Sequence, residues 1–469
     1  MIETESATPS TGKVRRDVVG GKRGDGHRRT RAVRRPNPEK VEYAGHDATL
    51  SGVGGLVVFG RWLAGRGLNE WLGRELNRLK PGALVIYRMP VLVRMLLDAI
   101  VAGADRVFDL EQLAADPIFV HLAGGVVPSL DTVYRALAKF DEKALAALEE
   151  RIAHEGLHGA LKPVESRVFL DIDTSVLPVF GSQEGALPGP NPRYHGRPSY
   201  HPILARIAET RAWVGAFFRS GDTSLGEADV PTIVRIVKRV RRALRPDQEL
   251  WVRIDAGGEF TELLEALGNI DGVRYVVKAR FTKDLAKAVR QHGSWESVDA
   301  DANDESTREV AQIVGFRRPA WRERCLMPRV VAVRTTDDVA GKQRFLWPDL
   351  EWTSKAYVTN DWLEDADDLA RIYEDRAGIE SAIAELKNAF GVGKVPSAQM
   401  NANHAMFLLK MLATNLVHAF AAEEAPELAS WRGDWLRRAL ILVPARIVAH
   451  ARKILFRVHP ASRIARMLN

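Results

Sequence analysis

Apolar positions recur with a helical period early in the chain and with a strand period through its middle. In residues 53–72, 84–102 and 131–154 they fall three and four apart, and Ser129-Leu130-Asp131-Thr132 supplies capping residues before the last stretch. The period then changes. Residues 167–173 read as a strand that ends in carboxylates, and 202–209 with 212–219 read as a hairpin around Thr210-Arg211. Residues 227–245 read as a helix stopped by Pro246, and 249–255 as a second strand ending in Asp. Gly257-Gly258 opens a helix through Leu267, and 273–279 is a further strand. This order predicts an α/β sheet with helices on its faces. In open α/β sheets, sites form outside the carboxyl ends of the strands.

Residues 281–362 carry many Asp, Arg and Trp among short apolar runs and predict a β-rich insertion. Helical spacing resumes from Asp367 through Phe390 and again over 403–422, while 446–466 alternates cations with apolar residues as either a strand or a helix. The predicted division is a basic arm over 1–45, a helical DNA-binding domain over 46–160, and a catalytic core over 161–280 and 363–425. The insertion 281–362 interrupts that core, and a basic segment, 426–469, follows it. Short helices joined by Gly and Pro turns suit a helix-turn-helix-like unit.

Charge narrows the partners. The chain carries a formal net charge of +7, which favours an anionic partner, nucleic acid or membrane. No apolar run reads as long enough to span a bilayer, and the first residues lack the apolar stretch of a secretory signal. The expectation is therefore a cytoplasmic protein that binds DNA. Between Lys13 and Arg35 stand ten Lys or Arg and two Asp, a segment suited to lie along phosphates or simply to solubilise the chain. The lone Cys325 excludes an internal disulfide framework and a cysteine-based zinc site.

Carboxylates carry the candidate chemistry. Phosphodiester cleavage is served by two divalent cations, which prefer hard carboxylate oxygens from several elements. Asp173 and Asp255 at strand ends and Glu380 on a helix supply such a set for Mg²⁺ or Mn²⁺. On one continuous helix, Tyr373, Arg376, Glu380 and Lys387, at offsets of 0, 3, 7 and 14, point within about 60° of each other. That face presents a phenol, two cations and a carboxylate, or else is a solvated face with ion pairs.

The segment from Tyr373-Glu374-Asp375-Arg376 through Glu380 to Lys387 resembles the Y-x2-R-x3-E-x6-K signature of bacterial insertion-sequence DDE transposases. Asp173-Thr174, Gln183-Glu184-Gly185-Ala186, Asn191-Pro192, the stretch 196–202, and Arg253-Ile254-Asp255-Ala256-Gly257-Gly258 resemble further motifs of that group. The resemblance implies an RNase H-like catalytic core with a β-rich insertion before the glutamate helix. It implies Asp173, Asp255 and Glu380 as metal ligands. Arg376 and Lys387 would lie on phosphates of the element's end, with Tyr373 supporting them. The insertion in relatives supplies an aromatic that stacks on a displaced base, a role open to Trp352 or Tyr357, with a buried core aromatic as the other reading. The metal-site reading extends to a homodimer holding two terminal inverted repeats.

Each assignment has a rival. Asp171 shares a strand face with Asp173, Glu259 lies a turn beyond Asp255, and Glu385 follows Glu380. His195 and His201 read as packing or phosphate contacts rather than metal ligands. The basic run 235–245, with Arg239 at its centre, is either a DNA contact or a solvated face. A nuclease without strand joining and a silent DNA-binding derivative stay open as alternatives.

Overall fold

The computed structural model describes residues 47–467 apart from 83, 159–163, 165, 192–194, 299–306, 337–351 and 451–452. The basic arm and Pro192 lie outside the described residues. The chain opens with β1 (Leu50–Ser51), followed by α1 (Gly55–Gly65), α2 (Leu68–Leu76), α3 (Met89–Ala102), α4 (Leu110–Leu113), α5 (Pro117–Leu122), α6 (Leu130–Leu137) and α7 (Glu142–Leu157). Caps set several starts. Ser129 accepts from the Thr132 N–H before α6, and Asp141 accepts from the Ala144 N–H before α7.

The sheet region runs β2 (Arg167–Thr174), β3 (Leu177–Pro178), β4 (Leu187–Pro188), β5 (Pro198–Tyr200), β6 (Ile203–Ile207), β7 (Trp213–Phe217), α8 (Val230–Ala243), β8 (Glu249–Ile254), α9 (Thr261–Gly268) and β9 (Val273–Lys278). Next come α10 (Lys283–Gln291), β10 (Glu296–Val298), β11 (Thr307–Gln312), α11 (Pro319–Glu323), β12 (Arg329–Thr336), β13 (Thr353–Thr359), α12 (Ala366–Glu374), α13 (Gly378–Ala389) and α14 (Met400–Glu424). The chain continues with α15 (Gly433–Leu436), β14 (Ala445–His450) and β15 (Lys453–Val458). The basic stretch from 446, ambiguous in sequence, is thus a hairpin, and β14 also pairs with β1.

Nine strands form one sheet in the order β10-β11-β12-β13-β9-β8-β2-β6-β7. β2 is antiparallel to β6 and parallel to β8, and β8 is parallel to β9. The run β7-β6-β2-β8-β9 is the arrangement of an RNase H-like core. The strands of 281–362 do not stand apart from it: β13 pairs with β9 and carries β12, β11 and β10 outward on the same sheet.

Alternation along β2 sorts its side chains. Val168, Leu170 and Ile172 join Leu250, Val252 and Ile254 of β8 in a core shared with α8 and α9. Phe169, Asp171 and Asp173 take the opposite face by the two-residue period. On that face α12 buries Leu369, Ala370 and Ile372 against Trp251, Val276 and Tyr357.

The helical region packs on itself and closes around α14. Buried residues of α1, α2, α3, α6 and α7 share one core with Ala405, Leu408, Leu412 and Leu416 of α14. α14 is long and apolar enough to cross a membrane, correcting the reading that no such run exists, but 83% of its most apolar stretch is buried inside the fold. Its polar residues serve the packing. Asn415 accepts from the Trp213 N–H at 2.9 Å and donates to the Trp213 carbonyl at 2.7 Å and the Ile152 carbonyl at 3.1 Å. It thereby binds α14, α7 and β7 together. At Gly156 a Cβ would meet the Trp213 carbonyl oxygen at 2.3 Å, so α7 sits this close to β7 only without a side chain there. Asn415→Leu strands a buried N–H and carbonyls, and is expected to lower the unfolding free energy by about 1–3 kcal/mol in urea titration. An unchanged midpoint would contradict that role.

Candidate active site

Ile172 and Ile254 are the last parallel partners across β2 and β8, so Asp173, still paired with β6, and Asp255, just past the end of β8, come one step later on neighbouring strands. The Asp255 carboxylate accepts from the Gly257 N–H at 3.1 Å and starts a single tight turn over Ala256–Gly258. Asp173 accepts from the Thr174 N–H at 2.8 Å, and Arg376 lies 3.1 Å from its carboxylate. Burial raises the Asp173 carboxyl above its ordinary range; the Arg376 charge opposes this and Asp255 adds to it. The two aspartates therefore feel each other's charge, the repulsion that a bound cation relieves.

The helix expected through 367–390 is broken. α12 ends at Glu374, a tight turn covers Asp375–Ala377, and α13 starts at Gly378. Arg376 lies in that turn, and its guanidinium donates to the Ile172 carbonyl at 2.9 Å as well as facing Asp173. This tertiary anchor holds the chain in the narrower helical form. The one-face phase expected of an uninterrupted helix does not apply, yet Arg376 reaches β2, Tyr373 packs on Arg376, and Lys387 reaches the chain just past β2. Tyr373 packs 5.9 Å from the Arg376 guanidinium, and burial pushes its phenol up to about 12. Lys387 donates to the Val176 carbonyl at 3.1 Å. Glu380 sits exposed in the first turn of α13.

The rivals are committed elsewhere. Asp171 forms a buried two-pronged pair with Arg253, at 2.6 and 2.9 Å, and Arg253 also donates to the Ile372 carbonyl at 2.8 Å. Glu259 is buried and held by Arg318 at 2.6 and 2.9 Å and by the Arg280 N–H. Glu385 takes His418 at 3.0 Å and the Gly433 N–H at 2.5 Å. His201 is bonded to the Thr223 carbonyl, and burial lowers its pKa, which keeps the ring neutral. His195 is exposed on a turn.

The other DNA candidates are also occupied within the fold. Arg239 on α8 is paired with Glu150 of α7. Trp352 lies against Arg334, 4.3 Å from its ring, and the same guanidinium sits 4.2 Å from the Trp295 ring. Tyr357 is fully buried and donates to Glu374 at 3.1 Å. It has no face open to a base.

Sequence reasoning missed Arg106 and Lys394, which stand near the end of β2 only through folding, and Lys410, which is buried behind them. Lys410 had one visible signal: it is the lone cation in the apolar run 405–417. Its ammonium is buried and donates to the carbonyls of Asp105, Gly391 and Lys394 at 2.8, 2.6 and 2.9 Å.

Among the described residues, no three of His, Cys, Asp and Glu stand together as a metal-holding group. Asp173 and Asp255, hard oxygen donors in mutual repulsion, fit a divalent cation as two members of a three-carboxylate set. Glu380 is the member not drawn in.

A family model described as "Transposase DDE domain group 1" matches residues 34–468. No curated protein matches the chain. Among solved structures, the chain is similar to a piggyBac transposase synaptic complex with hairpin DNA, at 11% identity over 82% of this chain and 79% of that one, with a TM-score of 0.43. It is also similar to a Drosophila P element transposase strand transfer complex, at 16% identity over 50% of each chain, with a TM-score of 0.24.

Proposed function

The chain belongs to the DDE transposase family, domain group 1, and from that premise we propose that it cuts the ends of a mobile DNA element and joins the freed 3′-hydroxyls to target DNA. The observation that carries the reading is the pair Asp173 and Asp255 at adjacent strand ends, with Arg376 and Tyr373 packed against them. Asp173, Asp255 and Glu380 would hold Mg²⁺ or Mn²⁺, which supplies charge neutralisation at phosphorus and an acidified water. Arg376 balances the charge of Asp173, and its buried anchor on the Ile172 carbonyl orients it. Lys387, tied to the Val176 carbonyl, holds its ammonium where a phosphate of the element's end would lie.

In the first step a water oxygen bonds to phosphorus as the P–O3′ bond breaks, leaving a 3′-hydroxyl on the element. In the second, that oxygen loses its proton and bonds to a target phosphorus, while the target P–O3′ bond breaks and its oxygen gains a proton. Each step hydrolyses or exchanges one phosphodiester, so no ATP is consumed. The proposal extends to a homodimer on two inverted repeats, a bacterial insertion-sequence origin and a cytoplasmic setting.

The test is a pre-cut element end incubated with a target plasmid and Mg²⁺. Joined products are expected; cutting of intact ends without joining would leave only a nuclease. The exposed Glu380 favours one second reading, a silent DNA-binding derivative. Binding retained with no Mg²⁺-dependent cleavage would identify it.

A further inference from the structure

We infer that the groove beside the end of β2 is a track for a nucleic-acid strand, gripped by Arg106, Lys387 and Lys394 and built by the buried Lys410. The groove encloses about 780 Å³ and begins at Thr174, the neighbour of Asp173. Among the described residues its lining includes these three cations and no Asp or Glu. They come from two stretches far apart in the chain: the helical region, and α13 with the loop that follows it. Their convergence is a product of folding and not of one charged run.

The construction around Lys410 is the second observation. A buried ammonium is costly, and burial pulls this one down to about 7. It spends its N–H groups on the carbonyl of Asp105, which precedes Arg106, on that of Gly391, and on that of Lys394 itself. One group thus fixes the backbone beneath two of the three groove cations. Lys410 touches no groove surface, so it is a positioning residue.

The walls select the kind of anion. Leu177, Pro178, Val179 and Val395 line the groove, and Phe180, 83% exposed, lies on its edge with the Arg197 guanidinium 4.4 Å from its ring. Apolar walls with an exposed ring suit sugars and bases as well as phosphates, and favour a polynucleotide strand over a free inorganic anion. The inference rests on the transposase reading only for the statement that the strand is DNA led toward Asp173.

The experiment measures binding of the full chain to a fluorescein-labelled, single-stranded-tailed DNA duplex of mixed sequence by anisotropy at several salt concentrations. Each phosphate that the protein no longer neutralises lowers the slope of log K against log salt by about 0.7–0.9. The Arg106→Gln/Lys394→Gln double variant is expected to reduce the slope by about 1.4–1.8. Both changes are at exposed side chains, so folding is not at stake. An unchanged slope would overturn the groove and leave the transposase reading standing on cleavage by the wild-type protein. A reduced slope in a protein that never cuts would keep the groove and sink that reading. Lys410→Met, if folded by circular dichroism, should show a reduced slope with Arg106 and Lys394 intact; a folded variant with the wild-type slope would overturn the positioning role. Should it not fold, the double variant decides.

Discussion

Asp255→Asn is expected to keep its fold and lose Mg²⁺-dependent cutting of element-end DNA by more than about 100-fold, since even outer partners of metal ligands cost 10–100-fold when removed. The amide retains an oxygen for the Gly257 N–H, so the turn over Ala256–Gly258 should stand. What disappears is one negative charge beside Asp173. Gel assays of end cleavage across Mg²⁺ concentrations, paired with a thermal melt, separate the two effects. A variant that melts normally and still cuts would remove Asp255 from the site. The melt supplies a further readout: Mg²⁺ should raise the melting temperature of the wild type and not of the variant, because only the wild type holds two adjacent carboxyl groups for the cation.

Asp171→Ala should do the converse. It leaves Arg253 buried with its carbonyl partner, Ile372, but without its counter-charge. Breaking a buried pair from one side costs about 3–5 kcal/mol. Urea unfolding should therefore show a large fall in stability, visible before any question of catalysis. If Asp171→Ala kept wild-type stability and lost cleavage, the roles of Asp171 and Asp173 would have to be exchanged. The distinction is physical. Both acids share a face of β2, but Asp171 lies opposite Arg253 in the parallel register, while Asp173 lies one step past the last pair. There it meets Arg376, Tyr373 and Asp255.

That one-step difference explains what was legible in sequence. A two-residue period put Asp171 and Asp173 on one face, and only the neighbouring strand could say which had a permanent partner. The strand ends, the hairpin of β6 and β7 and the cap at Ser129 are local features, so pattern alone was enough to find them. The break at Asp375–Ala377 was not legible, because its cause is an arginine captured by a carbonyl more than two hundred residues away in the chain. That the strands β10 to β13 of the β-rich insertion extend the core's own sheet was not legible, since nothing in their own pattern reveals that β13 lies against β9. Trp352 and Tyr357 read either as base-stacking or as core aromatics, because aromatic identity says nothing about burial; the fold buries Tyr357 fully. The alternation of cations and apolar residues after Arg446 fits either period, and pairing with β1 decides it.

α14 has a consequence for how the protein is made. The early helices bury their apolar faces against a partner that the ribosome supplies only after residue 400. At elongation speeds of ~5–20 residues per second, the interval between α1 and α14 is roughly twenty to seventy seconds. During that time the emerging helices have one another to pack against but not the central helix that completes their core, which leaves apolar surface exposed. A chain stopped before residue 400 would lack the partner for these apolar faces.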